Sequence, residues 1–121
     1  MSAKPILLTG YFKRGSTWTI GLTRKAPDGT PIDLTGLDTR AMFREGGVDG
    51  TVIVTLTDSE GITIDEPETG FISFTISAIQ SALFAAGAKV YFDVEQTNSL
   101  GEVWQSQTYM FSVVQEVTRD G

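Results

Sequence analysis

Lys89-Val-Tyr-Phe-Asp-Val-Glu-Gln-Thr97, Asn98-Ser-Leu-Gly101 and Glu102-Val-Trp-Gln-Ser-Gln-Thr-Tyr-Met-Phe-Ser-Val-Val114 form one continuous stretch, and its reading decides the fold. In the first arm Val90, Phe92 and Val94 alternate with Tyr91, Asp93 and Glu95, the two-residue period of a strand with one buried face. In the second arm Tyr109, Phe111 and Val113 repeat that period against Thr108, Met110 and Ser112. Between the arms, Asn98, Ser99 and Gly101 supply turn chemistry. The stretch predicts a long antiparallel hairpin, with Glu102 to Val114 as a single arm.

Upstream, the same period recurs. Thr17 to Lys25 places Trp18, Ile20 and Leu22 on one face, and Trp18 is expected in the core. Pro27-Asp-Gly29 is a turn, and Pro31 to Gly36 a bridging segment with Ile32 and Leu34 facing in. Thr39 to Arg44 turns Ala41 and Phe43 away from Arg40, Met42 and Arg44. Thr51 to Thr57 puts Val52, Val54 and Leu56 inward and Ile53 outward. A short strand, Ile62 to Ile64, precedes the acidic loop Asp65 to Gly70 and the strand Phe71 to Ser77. Ser77 to Phe84 breaks the alternation: Ser77 can cap a helical turn, Ile79 and Leu83 lie four apart, and Gly87 ends it. The first eight residues read as an arm or an edge strand, since Pro5 disfavours a central one. Residues 115–121 read as a polar tail.

The sum is about seven or eight short strands and one helical turn, an all-β chain of sandwich or barrel type. Periodicity does not separate those two. The 121 residues fit a single domain large enough to bury a core without cross-links.

Composition narrows the chemistry. With no cysteine and no histidine, disulfides, thiolate metal sites and every mechanism needing an imidazole are closed. A net charge of -6 disfavours nucleic-acid binding, which depends on neutralising phosphates. No apolar run approaches the roughly 20 residues of a membrane helix, and the first residues carry no signal-peptide pattern. A soluble chain kept in the cytoplasm, unless an assembly carries it out, is the expectation.

Carboxylates are the remaining chemistry. Asp58 with Glu60, or Asp65, Glu66 and Glu68, could bind calcium or act as an acid–base pair, but neither cluster has the spacing of a calcium loop. Solvated turn carboxylates are the better reading. Asp93 and Glu95 are read as an exposed polar face, or as pairs for cross-strand Lys or Arg. Ser and Thr nucleophiles lack an activating base, and the glycine-rich stretch lacks the lysine and helix of a phosphate loop. No enzyme activity, metal or cofactor is expected.

Contact residues are the better candidates. Glu45, Gly46, Gly47, Val48, Asp49 and Gly50 form a glycine-rich loop expected to be mobile. Trp104, flanked by polar residues after a turn, is the candidate exposed aromatic, and Tyr91 could join it in a contact patch. Lys13-Arg14 and Arg24-Lys25 could form a small basic patch.

Seven phrases in order carry a resemblance: Phe12-Lys-Arg-Gly-Ser-Thr-Trp18, Asp28-Gly-Thr-Pro-Ile-Asp-Leu-Thr-Gly36, Gly61-Ile-Thr-Ile64, Gly70 with its strand, Ser77-Ala-Ile-Gln-Ser-Ala-Leu83, Tyr91-Phe-Asp-Val-Glu95 and Gly101-Glu-Val-Trp104. Over residues 12–118 the chain resembles small structural proteins of tailed bacteriophages and prophages, similar to the immunoglobulin-like N-terminal domain of upper baseplate proteins. Ser16 stands where the Arg-Gly-Asp-Thr phrase has aspartate. The resemblance implies an immunoglobulin-like antiparallel β-sandwich and a place in the virion, in the tail or baseplate. It also implies partners among copies of the chain and other virion proteins, and it brings no catalytic residues. A capsid decoration protein and a carbohydrate-binding module are the alternatives.

Overall fold

The computed structural model describes residues 5–10 and 12–115. In chain order the elements are β1 (Ile6–Leu7), β2 (Phe12–Lys13), β3 (Trp18–Thr23), β4 (Asp38–Glu45), β5 (Thr51–Thr57), β6 (Ile62–Thr63), β7 (Phe71–Ile76), α1 (Ala78–Ser81), β8 (Lys89–Thr97), β9 (Val103–Gln105) and β10 (Tyr109–Val114). A 3₁₀ turn, Pro67–Thr69, precedes β7. The larger sheet has the order β1-β10-β8-β4-β5, with β2 also on β10 and β9 also on β8; the smaller has the order β3-β7-β6. Two open sheets facing each other make a sandwich, which removes the barrel. Placing β3-β7-β6 opposite β10-β8-β4, with β5 added beyond β4, is the arrangement of an immunoglobulin-like domain.

The core follows from the alternation. Ala41, Phe43, Val54, Leu56, Val90, Phe92, Val94, Phe111 and Val113 point in from the larger sheet, against Trp18, Ile20, Ile62, Ile72, Phe74 and Ile76 from the smaller. Aromatic rings bridge the layers: Phe74 meets Phe92 edge-on at 6.2 Å, and Trp18 meets Phe111 edge-on at 5.5 Å. The Trp18 indole N–H donates to the Lys13 carbonyl at 2.7 Å, so the buried ring leaves no orphan donor.

Three expectations change. The second hairpin arm is not one strand. β9 pairs with β8 as Glu95↔Gln105 and β10 pairs with β8 as Tyr109↔Phe92, so three residues, 106–108, face two, 93–94. At that break Ser106 N–H donates to the Val94 carbonyl, and Val94 N–H donates to Ser106 Oγ, at 2.9 and 2.8 Å. In β5 the register shifts between Phe43 and Arg44, leaving Ile53 without a partner. Val52 therefore turns outward, 37 % exposed, while Ile53 packs against the core, the reverse of simple alternation.

The helical turn forms with the expected cap: Ser77 Oγ accepts from Gln80 N–H, and Gln80 Oε1 accepts from Ser77 N–H. Ile79 and Leu83 are nonetheless exposed; Ser81 and Phe84 face inward, with Phe84 against Trp18 at 5.5 Å. A four-residue helix is too short to present a face of its own, so the chain beyond it supplies the anchor. Of the two readings of the N-terminal segment, the edge strand is the one found, in two pieces. β1 and β2 run parallel to β10, with Ile6↔Tyr109 and Phe12↔Val113. The tail expected from Gln115 onward lies outside the described residues after Gln115.

Candidate contact surface

Every second residue of β4, β5, β8 and β10 that is not in the core emerges on the outer face of the larger sheet. Cross-strand pairing arranges them in rows. One row holds Thr57, Arg40, Glu95 and Gln105. The next holds Thr55, Met42 and Asp93. The third holds Val52, Arg44, Tyr91, Met110 and Leu7. Arg40 Nη2 meets Glu95 Oε1 at 2.9 Å, the cross-strand ion pair that the outer carboxylates suggested. The third row is largely apolar, and Leu7 is 60 % exposed.

The Glu45–Gly50 loop closes the β4–β5 hairpin at the end of that face. Its base is tied down on three sides. Arg44 Nη1 donates to the Gly50 carbonyl at 3.0 Å, Gly46 N–H donates to the Lys89 carbonyl at 3.1 Å, and Glu45 Oε1 accepts from Ala85 N–H at 2.7 Å. A methyl group on Gly50 would run into the Glu45 carbonyl, which is why the turn takes glycine there. Val48 leans back over the sheet and, with Met42, Arg44, Tyr91, Asp93 and Thr108, walls a hollow of about 40 Å³. That is room for a water molecule and not for a small-molecule ligand.

The structure thus brings Tyr91 and Val48 together. Trp104 is elsewhere. Its partner across the strands is Gln96, a core-facing residue, so the ring belongs to the inner side, about 17 Å from Tyr91 by strand rise. There it is half-buried, packed against the core, with the Arg24 guanidinium 3.9 Å above the ring centre. The expected exposed aromatic is instead a lid on the core; the extra residue in 106–108 set its phase against that of Tyr109. Arg24 also donates to Gln96 Oε1 at 3.0 Å, and Gln96 Nε2 donates to Thr39 Oγ1 at 3.1 Å. Burial lowers the Arg24 pKa, and burial raises that of Tyr109, whose ring stacks on Phe92 at 5.3 Å.

The two basic pairs do not merge. Arg14 donates to the Phe84 carbonyl at 2.8 Å beyond one end of β3, and Arg24 sits beyond the other. Of the acidic turns, that of Asp58 is tied to β4, where Asp58 Oδ2 accepts from Thr39 N–H at 2.7 Å, and no group of three or more acidic side chains could hold a metal ion among the described residues. Hydrogen bonds lower the carboxyl pKa values of Asp28, from the Thr30 backbone, and of Asp33, from the Thr35 hydroxyl. Leu7, Arg44, Val52 and Met110 are the residues of this candidate face that sequence reasoning did not single out as contacts. Met42 and Met110, apolar residues in the outward phase of their strands, were the available signal. No protein-family model and no curated protein sequence matches this chain.

Proposed function

We propose that this chain is a structural component of a tailed-bacteriophage virion, in the tail or baseplate, that works by docking to copies of itself and to other virion proteins. It needs no reaction of its own. The ordered phrases between Phe12 and Trp104 support the family, and the sandwich supplies a rigid body of the kind such a role requires.

The observation that carries the docking reading is the outer row Val52, Arg44, Tyr91, Met110 and Leu7, with Val48 standing over it. Apolar and aromatic groups gathered on one open face and rimmed by charge are the composition of a contact surface. The carbohydrate-binding alternative loses its best platform, because Arg24 already covers one face of the Trp104 ring.

Mass spectrometry of purified particles, separated into heads and tails, tests the proposal. Recovery with tails is expected. Recovery with heads would favour the capsid-decoration alternative, and absence from both would end the virion reading.

A further inference from the structure

In the middle of the outer face of the larger sheet, charge is sorted by strand. There β4 carries Arg40 and Arg44, and its neighbour β8 carries Asp93 and Glu95, with Tyr91 beside Arg44; Asp38 and Lys89, at the two ends, carry the opposite sign to the rest of their strands. A surface so divided can complement itself. We propose that this face is a two-fold interface between two copies of the chain, with the axis running along the strands between β4 and β8. The inference rests on the docking reading above and supplies its first partner.

The axis direction follows from the rows. A two-fold axis parallel to the strands exchanges β4 and β8 while keeping each row at its own height. Arg40 of one copy then faces Glu95 of the other, and the reciprocal pair forms beside it. With the one Arg40–Glu95 pair already made within each chain, the four charges alternate in sign. In the third row Arg44 faces Tyr91, a cation against an aromatic ring, and Val52 of β5 faces Met110 of β10. Val48, 55 % exposed and close to the axis, meets its counterpart. Met42 opposite Asp93 is unmatched, and Leu7, on the strand outside β10, falls beyond β5 and faces no strand. An axis across the strands at the Met42 row would instead set Arg40 over Arg44 and repel.

The test is sedimentation of the full chain over a concentration series, with circular dichroism confirming that each variant is folded. Both charged side chains are on the surface, so their exchange leaves the core intact. Wild type is expected to form dimers that weaken as salt rises. Arg40→Glu and Glu95→Arg are each expected to weaken self-association by about tenfold or more, through like charges across the axis. Mixed together, the two variants should pair with each other, because the acidic face of one now meets the basic face of the other. A wild type that stays monomeric throughout would overturn the proposal, as would variants that dimerise like wild type or a mixture no tighter than its components. A dimer in solution from a chain missing in virions would leave the interface standing and remove the phage role. A virion protein that is monomeric in solution would do the reverse.

Discussion

Gln96 shows how one buried polar side chain can tie two sheets together. It lies on β8 at 1 % exposure, accepts from Arg24 just past β3 and donates to Thr39 on β4. Replacing it by alanine removes both bonds and leaves Thr39 Oγ1 short of a donor, at an expected cost of about 1–3 kcal/mol in urea unfolding. The Arg24 guanidinium would also lose the contact that steadies it over Trp104, so Trp104 fluorescence should change even where the fold survives. Tyr109 carries a different expectation, in alkali. Its pKa is raised by burial, so the folded state holds the phenolic proton longer than the unfolded chain does. The stability this contributes is full below the unfolded value of about 10 and is lost as pH rises through the higher folded value. Thermal melts should show the wild type losing stability with alkali more steeply than Tyr109→Phe.

At the scale of elements, much of the fold was legible, since apolar alternation with turn residues marks strands. β5 and β8 fall on the expected residues, and the cap at Ser77 and the turn at Gly101 lie where expected, whereas the helix ends at Ala82, short of Gly87. The bulges were not legible. A single unpaired residue reverses the facing of everything beyond it without changing composition, which exchanged Val52 with Ile53 and turned Trp104 inward. Ser106 is the physical counterpart of that hidden signal: its hydroxyl stands in for the backbone acceptor that Val94 loses where the ladder breaks. Ser106→Ala should leave the buried Val94 amide unpaired and cost about 1–3 kcal/mol by denaturant titration. Its amide should also exchange with solvent faster in the variant.

For the molecule as a whole, the candidate contact face was half legible. Tyr91 and the Glu45–Gly50 loop share it, but its other members come from strands far apart in sequence, and only pairing sets them side by side. The pairing also grades stability across the sandwich. β4 and β8 share eight paired positions, Asp38↔Thr97 to Glu45↔Val90, at the centre of the larger sheet, whereas β1 and β2 each hold β10 by two. Hydrogen exchange should therefore be slowest at the buried amides of β4 and β8 and fastest at β1, which can open without disturbing the core.

The parallel course of β1, β2 and β10 has a consequence for anything joined to this chain. Near its start the backbone lies beside Tyr109, and by Lys13 it has travelled the length of β10 to lie beside Val114, where the last strand is also ending. A module attached ahead of Pro5 and one attached after Gln115 would therefore depart from opposite poles of the sandwich, like beads on a thread, rather than folding back as neighbours.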